Sequence, residues 1–343
     1  MSQTMKRWQI AAPGRDNLEL VETAMPTPKP TEILVEVAAV SLNYRDALLV
    51  ETGFGLPDPL VEPLVPASDF SGTVVAIGED VTRFAIGDRV ISTFVPDWTD
   101  GVGPGTARHP NARTLGGPVQ GVMAGYVALS QDWAVRGPAG LSHAEASTLP
   151  CAGLTAWTAL VERGKLRAGE RIAVLGTGGV SLFGLQIGLM HGAEVIVISG
   201  DDEKLAKARK LGARHGINRR NADWVEAIYS LTDDHGADHI LETVGGAHLE
   251  KSLRAAAVTG RISMIGVLDG FDFSGGFAPL ALKRLTIEGI QVGHRRALED
   301  FVSAYDLSGM KPVIDAIYSI NDLGSALDHL ERGPFGKIVI GIG

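Results

Sequence analysis

The sequence has a single cysteine, Cys151, among 343 residues. One thiol excludes an internal disulfide and any zinc cluster built from several cysteines, and it suits a reducing compartment. Positive charge is also short: 31 Lys and Arg stand against 40 Asp and Glu, a formal net charge of −9. Nucleic acids and anionic membranes are bound through basic surfaces, so neither is expected as a partner. Long hydrophobic runs are missing too. Met1 to Ile10 holds no apolar core of signal-peptide length. The greasiest stretch, Gly178 to Ile198, is interrupted by Ser181, Gln186, His191 and Glu194. A membrane span needs about twenty nearly unbroken apolar residues, so this reads as a buried helix followed by a strand. A cytoplasmic location is the resulting expectation. There are no internal repeats and no low-complexity tracts.

What is present is ordinary globular material, 45% hydrophobic and 21% charged. The length argues for two domains rather than one. The part up to Leu149 is rich in glycine, proline and β-branched residues. Ile33 to Val40 alternates as a strand would, and Gly72 to Ile77 and Asp88 to Val95 read as further strands, punctuated by Gly78, Gly87 and Pro96. A long loop dense in glycine and proline, Asp97 to Pro118, is expected to be functional or mobile. From about Thr155 the rhythm changes to alternating strands and helices: Arg171 to Leu175, Val180 to His191, Glu194 to Ser199, Asp202 to Leu211. His239 to Thr243, Arg261 to Ile265 and Thr286 to Val292 add strands. That alternation predicts an α/β fold with a doubly wound parallel sheet. A final helix, another over Asp322 to Glu331 and a closing strand over Lys337 to Ile340 follow Arg296.

The sharpest motif is Gly176-Thr177-Gly178-Gly179-Val180-Ser181, set between a predicted strand and helix. Its glycines permit a tight turn and let backbone approach a pyrophosphate, while the helix N-terminus presents free N–H groups to the phosphates. Ser181 stands where a third glycine is usual, a position that needs a small residue for helix–strand packing. An NAD site wants an acid at the end of the second strand to hold the ribose 2′-hydroxyl. Here that strand ends in Ser199-Gly200, with no carboxylate. Those two leave room for a 2′-phosphate, with Lys204 and Arg219 as candidate partners, or else as solvated surface charges. Asp201 and Asp202 would repel a phosphate unless turned away. The reading favours NADPH over NADH.

With Asn43-Tyr44-Arg45-Asp46, Pro66 to Gly72 and the glycine turn, the chain resembles the zinc-independent, quinone-oxidoreductase-like branch of the medium-chain dehydrogenase/reductase superfamily. Ala208 to Ala213, Gly266 and Phe335 to Ile340 extend the likeness nearly end to end. The resemblance implies a GroES-like, mainly-β catalytic domain, residues 1–152 and 296–343. It also implies a Rossmann domain over residues 153–295, a cleft between the two and a homodimer through the Rossmann sheet. Zinc-dependent relatives carry Cys where this chain has Asn43 and Gly-His-Glu where it has Ala67-Ser68-Asp69, and Cys151 matches their third ligand. A catalytic zinc needs about three protein ligands from Cys, His or carboxylate, so no zinc is expected. The lobe that holds four structural cysteines in those relatives maps to the 97–118 loop, which has none.

Without a Lewis acid, a carbonyl is polarised by hydrogen-bond donors or by its own electronics, which favours quinones, enones and reactive aldehydes as small-molecule substrates. Asn43, Tyr44 and Ser68 are the candidate catalytic groups, with Asp46 to orient its neighbours. Thr155 is expected beside the nicotinamide by its position in the resemblance. Enoyl-thioester reductases of the superfamily carry a tyrosine acid where this chain has Phe54, which makes that activity a weaker fit. Val244 to Gly246 and Gly266-Val267-Leu268 follow strands at the end of the sheet where ligands bind. Gly293, His294 and Arg295 are either cofactor contacts or a hinge. Cys151 is either an exposed thiol or a buried spectator. The alternatives are an alcohol dehydrogenase or enoyl reductase of one metabolite, and an NADPH-binding sensor with little turnover.

Overall fold

The computed structural model describes residues 4–56, 59–111 and 113–343. They fall into two compact units, one running to Leu154 and resuming at Gly293–Gly343, the other Thr155–Val292.

The first unit opens with an antiparallel pair, Thr4–Ile10 and Leu18–Ala24. Its main sheet begins with β1 (Glu32–Leu42), β2 (Asp69–Ile77), β3 (Arg89–Ser92), β4 (Tyr126–Ser130) and β5 (Ala134–Arg136). β1 is the central strand because its β-branched run is apolar enough to be covered: Ile33, Val35, Val37, Val40 and Leu42 are all buried. One residue, Asn43, separates it from helix α1 (Tyr44–Thr52).

The second unit is a six-stranded sheet with helices between its strands. It contains β6 (Arg171–Leu175), α2 (Gly179–Met190), β7 (Glu194–Ser199), α3 (Asp202–Lys210), β8 (His215–Asn218), β9 (Ala237–Glu242), β10 (Ala256–Met264) and β11 (Thr286–Gly289). Every pairing is parallel, in the order β8-β7-β6-β9-β10-β11. This is the doubly wound Rossmann arrangement, with its direction reversing at β6. Parallel strands are covered on both faces and read as continuous apolar runs; Ile172, Ala173 and Val174 have no exposed surface. Helix α2 is apolar nearly all round and is correspondingly buried from Ser181 to Gly188.

The chain then returns to the first unit with α4 (Arg295–Ser308), β12 (Ile314–Ser319), α5 (Leu323–Glu331) and β13 (Lys337–Gly341). The completed sheet runs β12-β13-β1-β2-β3-β5, with β4 also pairing β1. β13 is antiparallel to β1 with Ile338 opposite Leu42 and Ile340 opposite Val40. That register brings Lys337 beside Asn43, so the last strand of the chain contributes to a site begun three hundred residues earlier.

Strand limits differ from the sequence expectations where turn chemistry intervenes. β2 starts at Asp69 rather than Gly72, because a glycine can continue a strand at a close approach. A Cβ on Gly72 would lie 2.3 Å from the Glu36 carbonyl oxygen of β1. β11 stops at Gly289 rather than Val292, which takes a φ of 51°.

Candidate active site

At the carboxyl end of β6 the Gly176 N–H donates to the Ile198 carbonyl at 2.7 Å, closing the turn, and Gly176 takes a φ of 80° that favours glycine. Gly178 is the N-cap of α2. A Cβ on Gly176 or Gly178 would meet nothing within 4 Å, so the backbone is bare where a pyrophosphate would approach, with Gly179 and Val180 opening the helix. Ser181 does more than stay small: its hydroxyl donates to the Leu175 carbonyl at 2.7 Å. The close helix–sheet packing is carried further along, where Cβ atoms on Gly184 and Gly188 would lie 2.5 Å from Leu241 and 2.7 Å from Val195.

Neither acid after β7 stands free to face a phosphate. Asp201 Oδ1 accepts the Lys204 N–H at 3.0 Å, capping α3 and holding its carboxyl below the usual range. Asp202 Oδ1 accepts from the Asn218 amide at 2.8 Å. Arg219 touches this corner through its backbone, its N–H donating to the Ser199 carbonyl at 2.9 Å. The side chain against Gly200 is Arg220, whose Nε would lie 2.9 Å from a Cβ at that glycine. Nothing in the sequence distinguishes Arg220 from Arg219; only the turn after β8 does.

The loops after β9 and β10 pack on each other at the same end of the sheet. A Cβ on Gly266 would lie 1.8 Å from the Thr243 carbonyl oxygen. Glu242, fully buried, accepts the Val244 and Gly245 N–H groups, the Ser252 hydroxyl and a ring nitrogen of His248. Burial pushes its carboxyl up, but those hydrogen bonds outweigh it and leave it below the usual range. Glu242 thus fixes the loop of Val244 to Gly246, with Val267 across from it. Its signal in the sequence was a lone acid closing an apolar strand. Thr155, the first residue of this unit, is buried.

In the first unit a polar cluster sits where β1, β2 and β13 end. The Lys337 ammonium donates to Asn43 Oδ1 and to the Leu42 carbonyl, both at 2.5 Å, and is 4% exposed. Asp69, fully buried, accepts the Ser68 hydroxyl at 2.6 Å and the Cys151 N–H at 3.0 Å. Burial pushes the Asp69 carboxyl up against the opposing pull of the Lys337 charge and the Ser68 hydroxyl. Asn43 also favours its charged form, yet Asn43 Nδ2 makes no hydrogen bond of ordinary geometry and is buried. Tyr44 is 43% exposed, and its hydroxyl makes no hydrogen bond among the described residues.

Four residues singled out from the sequence have defined partners or surroundings here. Ser68 is fully buried and its hydroxyl donates to Asp69, so it buttresses the cluster, where a substrate-facing group was expected. His294 and Arg295 make contacts within the first unit. His294 Nδ1 accepts the Ala297 N–H at 2.9 Å, capping α4, and its ring meets Trp98 edge-on. Arg295 pairs with Asp132 at 2.5 Å and its N–H donates to the Trp98 carbonyl. Gly293 leads into that helix. The start of the 97–118 loop is therefore tied down. Cys151 is partly buried, and burial together with the Asp69 charge pushes its thiol up.

Residues 29–139 match the alcohol dehydrogenase GroES-like domain family, and residues 179–307 match the zinc-binding dehydrogenase family. Over 342 residues the chain is 36% identical to a zinc-type alcohol dehydrogenase-like protein of Schizosaccharomyces pombe, covering 96% of each. The chain belongs to the medium-chain dehydrogenase/reductase superfamily. A solved structure from Sinorhizobium meliloti 1021, described as a candidate alcohol dehydrogenase, superposes with a TM-score of 0.97 at 58% identity and full coverage of both chains. Another, described as an NAD-dependent alcohol dehydrogenase, gives 0.85 at 30% identity over 99% of this chain and 100% of its own. As a medium-chain oxidoreductase the chain uses a nicotinamide cofactor, and the glycine turn, Ser199-Gly200 and the loops after β9 and β10 are the residues that fit it.

The zinc named in that superfamily is a different matter. The match that carries the word covers residues 179–307, which include none of Asn43, Ser68, Asp69 and Cys151. Among the described residues no group of three or more His, Cys, Asp or Glu could hold a metal ion. At the ligand positions only Asp69 and Cys151 are metal-binding types, both Asp69 oxygens are already engaged, and an ammonium lies within the cluster. The donor set does not fit zinc. Among the described residues no helix is long and apolar enough to cross a membrane.

Proposed function

We propose that this oxidoreductase reduces quinones, enones or reactive aldehydes with NADPH and without zinc. The observation that carries the reading is the Lys337–Asn43 hydrogen bond, which sets an ammonium against the carboxamide that stands at a ligand position of zinc-dependent relatives. A bound reduced nicotinamide supplies the hydride. The protein's part is to hold the dinucleotide phosphates on bare glycine backbone and to offer hydrogen-bond donors to the oxygen that gains negative charge. Asn43 Nδ2 is the first such donor. Tyr44, exposed and with an uncommitted hydroxyl, is the candidate to pass a proton from solvent. Electron-poor carbonyls suit this set because they need less polarisation than a simple ketone.

The preference for NADPH is supported by the missing acid at Ser199-Gly200, by the engagement of Asp201 and Asp202 elsewhere, and by Arg220 lying on Gly200. The relative described as NAD-dependent stands for the second reading, an alcohol dehydrogenase using NAD. We further propose a cytoplasmic homodimer. The support for the dimer is the edge of β11, which pairs with no further strand among the described residues, and the exposed Phe271, Phe273, Phe277 and Leu282 on the segment before it.

The test follows consumption of NADPH and of NADH with a panel of quinones, enones, aldehydes and simple ketones. Steady turnover, faster with NADPH and confined to the activated carbonyls, supports the reading. Tight NADPH binding with no turnover would replace it with a binding protein. Alcohol oxidation with NAD as the best reaction would favour the second reading.

A further inference from the structure

Lys337 is the one charged residue in an apolar closing strand, Lys337–Gly341, and it is almost completely buried. A buried ammonium carries three donors and no acceptor, and each must find an oxygen. Two go to the Leu42 carbonyl and to Asn43 Oδ1, and the cation also acts on Asp69. The register of β13 on β1 sets this contact, so it is built into the sheet.

The consequence falls on Asn43. A carboxamide has an oxygen face and an N–H face, and rotating it by half a turn exchanges them. Beside Lys337 only one orientation is allowed, because the other would put N–H groups against an ammonium. Nδ2 is therefore the atom left over: it faces the Asp69 carboxylate closely enough to favour its charged form, yet it is buried and makes no hydrogen bond of ordinary geometry, with Asn43 as a whole 8% exposed. A buried N–H without a well-formed hydrogen bond is unfavourable, and a ligand oxygen would relieve it. A cationic hydrogen bond at the carboxamide oxygen also draws electron density away from nitrogen, which makes Nδ2 a stronger donor.

We propose that Lys337 is a positioning residue: it locks and polarises the Asn43 carboxamide so that Nδ2 donates to the carbonyl oxygen of the substrate. The inference rests on the reading of the protein as a carbonyl reductase. It narrows the ligand class to molecules that present an oxygen acceptor at this point, and it gives the oxygen a donor that strengthens as negative charge develops during hydride transfer.

The experiment compares wild type, Lys337→Met, Lys337→Arg, Asn43→Ala and the double Asn43→Ala/Lys337→Met in steady-state reduction of 9,10-phenanthrenequinone by NADPH. The expected result is a fall in kcat of about 10- to 100-fold for Lys337→Met and Asn43→Ala. The KM for NADPH should stay within about threefold of wild type, Lys337→Arg should recover part of the rate, and the double variant should be no slower than Asn43→Ala. Losses that multiply in the double variant, or a Lys337→Met enzyme at the wild-type rate, would overturn the proposal. Should Lys337→Met not fold with Asp69 unpaired, Asp69→Asn/Lys337→Met removes both charges and is compared with Asp69→Asn alone. Should wild type reduce no quinone, the carbonyl reading fails on its own. Lys337 is then judged by the side-chain amide ¹⁵N resonance of Asn43, identified by its loss in Asn43→Ala. An upfield move without the ammonium supports the positioning role, and an unmoved resonance overturns it.

Discussion

Asp46 carries a cost that can be measured. Its carboxyl is pushed up to about 6, foremost by burial and further by Asp69, while Arg45, the Asn43 N–H and Lys337 pull it back. An unfolded aspartate titrates near 4. The native state therefore binds this proton more tightly than the unfolded state, and stability falls as pH rises from about 4 through about 6. Keeping that buried carboxyl charged above this range costs roughly 3 kcal/mol. Asp46→Asn keeps an oxygen for the Asn43 N–H and removes the buried charge. It should be about 1–3 kcal/mol more stable than wild type at pH 8, with the gap closing by pH 4, as read from urea unfolding at both pH values. A gap independent of pH would show that Asp46 is not the group responsible. Arg220 makes a second prediction at this scale. Arg220→Ala should weaken NADPH binding about tenfold or more, the worth of a charge-assisted hydrogen bond, and leave NADH within about twofold; calorimetric titration with both decides it. Single residues were the least legible part of the sequence. Asn43 and Tyr44 stood out because they follow a strand and match a known pattern. Lys337 and Arg220 acquire their proposed roles only when a sheet register and a turn place them, and only the fold shows that Ser68 is fully buried with its hydroxyl turned to the adjacent Asp69.

At the scale of elements, the glycine turn and α2 act as one device. The turn presents phosphate-binding backbone, and the helix must lie close to the sheet to aim it. Gly188 makes that approach possible, since a Cβ there would lie 2.7 Å from Val195 and 2.8 Å from Ile172, both without exposed surface. Gly188→Val should be destabilised by about 1–3 kcal/mol through overpacking. Its urea midpoint should drop, with NADPH bound more weakly as the helix N-terminus shifts. A wild-type midpoint would mean that the helix rides higher on the sheet than described. Elements with strong periodicity were readable. The strand Glu194–Ser199 ends where the apolar run ends, and α3 spans the charged amphipathic stretch beginning at Asp202. β10 was only half visible. It begins at Ala256, because Ala256-Ala257-Val258-Thr259-Gly260 has the composition of a helix end and a turn, and only pairing with β9 extends it.

At the scale of the whole molecule, the chain interrupts one unit with another and returns to finish the first. That plan was legible from the change of rhythm near Thr155 and from the likeness running end to end, because both depend on many residues at once. The exposed aromatic segment before β11 should bury itself in a dimer. Light scattering is expected to give about twice the chain mass, and Phe273→Asp with Phe277→Asp should shift the protein toward monomer. A wild-type monomer would remove that proposal without touching the chemistry. The chemistry stands on one claim, that hydride transfer proceeds beside a lysine-held carboxamide in place of a metal. The most direct check is NADPH-dependent quinone turnover before and after exhaustive chelation, with zinc measured in the same samples. The account predicts an unchanged rate at far less than one zinc per chain. A rate lost on chelation and restored by added zinc would contradict it.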